Sequence, residues 1–300
     1  MMPVNDRWTN LAPIKTPIFI VDEVLLERNL QVLDSVQRRT GCKILLALKG
    51  FAMWSTFPLV RQYLQGISAS GPIEARLGRE EFGKEVHTYA PAYSEEDIEE
   101  VIRYSDHIIF NSFRQLEKYR PVVPRDKSLG IRVNPGYAEV QVDLYNPCAP
   151  CSRLGVTLKN FEGQSLEGLE GLHFHAMCEQ GADTLKRILI VFEGKFGKYI
   201  PQMKWVNFGG GHHITREDYD VDLLCRLVGN FQEAQPVEFG NAFEPATRGW
   251  VTQDRSPIGH IGYPAAASAE KGETLFELFA QDLVQLIDRV IAWDGRSWEG

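Results

Sequence analysis

Lys43-Ile44-Leu45-Leu46-Ala47-Leu48-Lys49-Gly50-Phe51 is the stretch whose reading decides the fold. Apolar residues run without a break from Ile44 to Leu48, which suits a β-strand covered on both faces. An amine follows at once, on Lys49, and then comes Gly50. A lysine at the carboxyl end of a buried parallel strand sits where barrel and open-sheet enzymes place their chemistry. Partial desolvation at such a position turns an amine into a nucleophile for imine formation. On its own the segment also reads as a surface lysine closing a strand, so the rest of the chain must decide.

Outward from this stretch the pattern repeats. Strand-like runs fall at 43–49, 66–70, 86–90, 107–111, 129–134, 171–176, 204–208 and 236–243, with helical patterns at about 56–65, 73–83, 95–104, 113–119, 182–198 and 217–232. Before them, Thr16 to Asp22 reads as a first strand. Asp22 can then cap a helix from Glu23 to Arg39, with Leu25, Leu26, Leu30, Leu33 and Val36 as its apolar stripe. Strand–helix alternation with short joins implies a parallel sheet. Eight such strands imply an α/β chain closed as a (β/α)8 TIM-like barrel, with an open doubly wound sheet as the alternative.

Composition narrows the class. The chain has 300 residues, 44% apolar and 24% charged, as in a globular enzyme. Its net charge of −8 argues against a general nucleic-acid binder and permits a cationic ligand. No apolar run approaches a membrane span and the first residues lack a signal-peptide core, so the expected place is the cytoplasm. Cys42, Cys148, Cys151, Cys178 and Cys225 are scattered and read as free thiols. Cys148 and Cys151 form a CxxC, but no second pair completes a zinc site.

Four places could carry chemistry together. In Leu172-His173-Phe174-His175, alternation puts both histidines on one face. They could pair on zinc, but no third ligand is obvious, whereas one imidazole suffices to stack on an aromatic cofactor. Cys178 and Glu179 follow closely enough to reach the same mouth. Gly209-Gly210-Gly211 follow the seventh strand, where barrels hold phosphate, and His212-His213 read as loop. Glu244 ends the eighth strand, where a carboxylate could pair with a protonated pyridine nitrogen. An amine, an imidazole, a glycine cradle and a carboxylate at one rim are what a pyridoxal phosphate barrel needs. In that arrangement Lys49 binds the aldehyde, His175 the ring, Gly209 to Gly211 the phosphate and Glu244 the ring nitrogen. A substrate amine then displaces Lys49 and the substrate carboxylate leaves as carbon dioxide.

Longer motifs carry a resemblance. Leu46 to Trp54, Asp143 to Pro150, Leu172 to Glu179 and Trp205 to Thr215 resemble the carboxynorspermidine decarboxylase family, within the alanine-racemase-like barrel class that includes ornithine and diaminopimelate decarboxylases. The resemblance implies pyridoxal 5'-phosphate as cofactor, Lys49 as its imine lysine and His175 as the stacking histidine. It also implies decarboxylation of carboxynorspermidine or carboxyspermidine to norspermidine or spermidine, by a homodimer without nucleic-acid or membrane partners. Arg153, in Ser152-Arg153-Leu154-Gly155, matches a family motif near the cofactor. Arg153 and Glu244 are expected near the substrate, and Glu179 is a candidate contact for a substrate amine.

The resemblance stops near Glu244. The family continues Glu-Pro-Gly, an acidic residue and alanine, into a β-rich domain that supplies interface and phosphate contacts. Here Pro245 is followed by Ala246-Thr247-Arg248. The expected organisation is an extension over 1–15, a barrel over 16–245 and a divergent tail over 246–300 with one helix, Glu273 to Trp293. The C-terminal β domain is expected to be largely missing, as in a truncated or frame-disturbed gene product. Two alternatives remain open at this point: a diaminopimelate-type decarboxylase, and a barrel that binds pyridoxal phosphate without catalysis.

Overall fold

The computed structural model describes residues 20–140, 142, 145–234 and 238–243, with backbone alone for 233–234 and 238–243. The chain divides into two units, Met1–Thr247 and Arg248–Gly300, and all described residues lie in the first. Of the expected first strand at Thr16 to Asp22, residues 16–19 lie outside the described residues, and Ile20 to Asp22 are not strand but the lead-in to the first helix. Glu244, the tail helix and the question of a C-terminal β domain also lie outside the described residues.

Nine strands form the sheet: β1 (Lys43–Ala47), β2 (Gly66–Ala69), β3 (Glu85–Tyr89), β4 (His107–Phe110), β5 (Ser128–Asn134), β6 (Val156–Thr157), β7 (Gly171–His173), β8 (Trp205–Asn207) and β9 (Glu238–Phe243). Every pairing is parallel. β1 pairs with β2 on one side and β9 on the other, and β4 pairs with β5, so eight strands close a ring. The short β6 hangs on β5 outside that ring. The expected closed barrel is therefore the observed one, and the open doubly wound alternative falls. β6 was not foreseen, because two residues are too few to show a period.

The helices are α1 (Glu23–Thr40), α2 (Phe57–Tyr63), α3 (Pro72–Leu77), α4 (Glu95–Tyr104), α5 (Phe113–Tyr119), α6 (Leu158–Phe161), α7 (Ala182–Phe196) and α8 (Val221–Ala234). Asp22 caps α1 as expected, its carboxylate accepting from the N–H groups of Val24 and Leu25. Leu26, Leu30, Leu33 and Val36 are buried, but Leu25 faces solvent. Buried Gln37 ties α1 to the barrel. Its Nε2 donates to Tyr63 O at 2.7 Å and its Oε1 accepts from Ile44 N at 2.8 Å. Removing such a buried partner costs about 1–3 kcal/mol.

Alternation sorts the two faces of β7 and its continuation. Leu172 and Phe174 point out and are fully buried, Phe174 at 4.6 Å from Phe192 of α7 and 5.4 Å from Phe208. His173 and His175 point in. At the floor of the barrel, Trp205 lies flat over Gly171, where a Cβ would come within 2.1 Å of the indole. Its Nε1 donates to Ser128 Oγ at 2.8 Å. Trp205, Gly171 and Ser128 each begin their strands, so the indole packs at the amino-terminal end, opposite the carboxyl ends of the strands.

Candidate active site

A cavity of about 300 Å3 opens at those carboxyl ends, at the small end of the range for ligand pockets. Its wall includes Lys49, Arg153, His173, His175, Gly209 and Gly210, which the sequence singled out, together with Tyr89, Arg132 and Asn207.

β1 ends at Ala47, two residues short of the strand expected from the sequence. Gly50 N and Phe51 N both donate to Ala47 O, at 3.0 and 3.1 Å, and this turn throws Lys49 off the sheet. Lys49 is thus exposed at the cavity mouth, not deeply placed. β7 likewise ends at His173 and not at 176. Beyond it the carbonyl of His175 accepts from the Arg132 guanidinium at 3.2 Å, a side chain standing where a strand neighbour would.

Gly210 N–H donates to His175 Nδ1 at 3.1 Å. A main-chain N–H can only donate, so Nδ1 must present its lone pair and Nε2 carries the proton. Burial, and after it the charges of Lys49 and Arg132, hold His175 well below the ordinary histidine range. His173 is pushed down to about 3, by burial first and Arg132 second, against a hydrogen bond with the Asn207 side chain. Both rings are therefore neutral at physiological pH.

The glycine run does more than leave room for an anion. Gly209 (φ +73°) and Gly211 (φ +92°) are left-handed, and Cβ atoms there would lie 2.4 Å from Phe174 O and 2.2 Å from Met177 O. Gly209 N–H donates to Asn207 Oδ1 at 2.7 Å, so two of the three expected phosphate donors already have partners inside the chain. Gly211 does not line the cavity.

Arg153 reaches the cavity from the irregular loop after β5, fixed there by its neighbours. Asn111 Nδ2 donates to Arg153 O at 2.8 Å, and Asn111 Oδ1 accepts from Gly155 N at 2.7 Å and from the Tyr89 hydroxyl at 2.8 Å. Glu179 is exposed and outside the cavity wall, as is Cys178. The five cysteines are free thiols. Buried His212 shares a 2.8 Å hydrogen bond with Tyr219.

Among the described residues, Glu85, His87 and His107 make the one group of metal-ligand type. The two imidazoles stack at 3.8 Å with 11° between planes. Parallel rings share no in-plane point, so one metal could not meet both lone pairs without a ring turning. Lys43 Nζ supplies the cation instead, 2.8 Å from Glu85.

Arg132 and Asn207 escaped the sequence reading. Each left a signal: a charge inside Leu129-Gly130-Ile131-Arg132-Val133, and an amide closing Trp205-Val206-Asn207. A polar residue on the inward phase of a barrel strand has only the cavity to face.

The fold and its mouth define a class: a parallel α/β barrel with an amine, neutral imidazoles and arginines around one small cavity. No protein-family model matches the chain. A Campylobacter jejuni carboxynorspermidine/carboxyspermidine decarboxylase is 47% identical over 240 residues, 80% of this chain and 62% of that one. A carboxyaminopropylagmatine decarboxylase of Synechocystis is 42% identical over 227 residues, 75% of this chain and 59% of that one. The crystal structure of Campylobacter jejuni carboxynorspermidine decarboxylase complexed with norspermidine matches with a TM-score of 0.72 and 44% identity, over 80% of this chain and 62% of that one. Within the class, then, the chain is a sequence relative of the carboxynorspermidine/carboxyspermidine decarboxylases. It spans about three-fifths of the length of the relatives it matches.

Proposed function

We propose that this barrel binds pyridoxal 5'-phosphate and decarboxylates carboxynorspermidine or carboxyspermidine, giving norspermidine or spermidine, as a cytoplasmic homodimer. The observation that carries the reading is the meeting of Lys49, His175, Gly209, Gly210 and Arg153 around one cavity.

The donor set fits the cofactor. Among the described residues, Lys49 is the only lysine in that wall, and it would take the aldehyde. His175, neutral and held by its Nδ1, offers a ring for stacking. Arg153 and the Gly209–Gly210 turn would sit toward the phosphate, with the arginine supplying the charge that the committed glycine N–H groups do not. When bound, pyridoxal phosphate supplies an aldehyde that condenses with amines and a ring that takes up the electron pair left by a departing carboxylate. The protein's part is to hold that ring and to move protons at Lys49 Nζ. Glu244, which lies outside the described residues, is proposed as the partner of the ring nitrogen.

A polycationic substrate suits a chain of net charge −8. Glu179, exposed on the segment leaving β7, is proposed as the contact for a distal amine. The test is carbon dioxide release by cofactor-saturated protein from carboxynorspermidine, carboxyspermidine and carboxyaminopropylagmatine. The last belongs in the panel because a relative 42% identical is named for it. Release from either of the first two supports the proposal. Cofactor binding with no release from any of the three leaves a binding protein and refutes it.

A further inference from the structure

Asn207 and His175 are joined through one glycine turn. His173 and Asn207 are register partners on β7 and β8. Asn207 is 3% exposed, and its Oδ1 accepts from Gly209 N at 2.7 Å. That N–H can only donate, so the atom facing it is the amide oxygen and not the nitrogen. One residue on, Gly210 N–H donates to His175 Nδ1 at 3.1 Å.

We infer that Asn207 is the positioning residue for His175, acting through the Gly209–Gly210 turn to fix the imidazole with its proton on Nε2. Among the described residues, the amide oxygen is the acceptor that anchors Gly209 N–H. Gly209 is already in a left-handed conformation pressed to 2.4 Å, at the Cβ position, from Phe174 O. A turn released there carries Gly210 N–H away from Nδ1, and the ring is then free to exchange tautomers. Asn207 thus braces the turn and the turn braces His175. That His175 faces a cofactor ring rests on the proposed function; the bracing itself does not.

The experiment measures histidine ring 15N shifts of the full chain without cofactor, at about pH 8. The unaltered protein should show His175 with Nε2 protonated, Nδ1 bare, and a coupling from Gly210 N–H across the hydrogen bond to Nδ1. Asn207→Leu should lose that coupling and show mixed tautomers, while Asn207→Asp, which keeps an acceptor oxygen, should retain both. Pyridoxal phosphate affinity, followed by absorbance, should weaken several-fold to about tenfold in Asn207→Leu, the span of one net hydrogen bond, and less in Asn207→Asp. A folded Asn207→Leu protein with coupling and tautomer intact overturns the inference. If that variant does not fold, the decision passes to the other two samples: a missing coupling in the unaltered protein, or its loss in Asn207→Asp, overturns it. Failure of the unaltered protein to bind pyridoxal phosphate would strike the proposed function and leave the tautomer result standing.

Discussion

The Arg132 guanidinium carbon lies 4.8 Å above the ring of Tyr89, in the cavity wall, and Arg132 is nearly closed off from solvent. The pair joins β5 to β3 across the barrel interior, and the same guanidinium donates to His175 O. A cation so placed sets the field in which both inward histidines sit.

Arg132→Met tests that role. It removes a cation–π contact and a charge-assisted hydrogen bond, together worth about 2–4 kcal/mol of stability. It also removes a positive charge that opposes protonation of His173 and His175, so both pKa values should rise, though burial keeps them below the ordinary range. Chemical denaturation and histidine NMR titration read the two effects. An unchanged His173 titration would show that the arginine does not set the local field.

Gly209→Ala should cost about 2–3 kcal/mol, because the added methyl meets Phe174 O at a positive φ. Gly210→Ala should be milder for stability, since Gly210 is not among the positive-φ glycines. Equal losses in paired melts would contradict the packing account of the triple glycine.

Acid should weaken the fold earlier than carboxylates alone would allow. His107, His173 and His212 are each pushed down to about 3, chiefly by burial, and His175 is lowered as well. The unfolded chain protonates these groups near pH 6.5, while the folded one does not. The unfolded state then binds more protons, so stability is full above about pH 6.5 and falls as the pH drops toward 3. Each histidine contributes at most about 1.4 kcal/mol per pH unit. Glu85, lowered to about 2 by His87 and Lys43, adds its own loss below the usual carboxylate range, near pH 4.5. Unfolding free energies measured at pH 7.5, 6.0 and 5.0 should decline steadily, and a flat profile would refute the buried neutral histidines.

The barrel was legible because its strands are buried on both faces and three of its helices, α1, α4 and α5, begin on side-chain caps. α4 and α5 fall at the residues expected, 95–104 and 113–119, each led by a serine. Strand ends were less legible. Lys49 and His175 extend apolar or alternating runs, so sequence pattern carries them into strands, but turn hydrogen bonds at Ala47 and the Arg132 side chain take over there. Lys49, His175, Gly209, Gly210 and Arg153 could be read as a set because chemistry limits which residues follow a barrel strand. The partner of Gly210 N–H could not, because His175 reaches across from the neighbouring strand and no spacing records that, whereas Asn207 meets Gly209 N–H within a local two-residue turn.

Glu179→Gln should raise KM for a polyamine precursor by about twofold to fivefold with kcat unchanged, as expected for an exposed charge contacting a distal amine. Initial rates over a substrate series decide it. A fall in kcat with KM constant would move Glu179 from binding to chemistry.

Borohydride reduction of the pyridoxal phosphate-saturated chain, followed by digestion and mass spectrometry, tests the central claim most directly. The account predicts a pyridoxyl group on the peptide that contains Lys49 and its loss in Lys49→Ala, with decarboxylation down about 10²–10⁴-fold, the span for removing a positioned proton-transfer group. A saturated protein with no adduct, or with the adduct on another lysine, would contradict it.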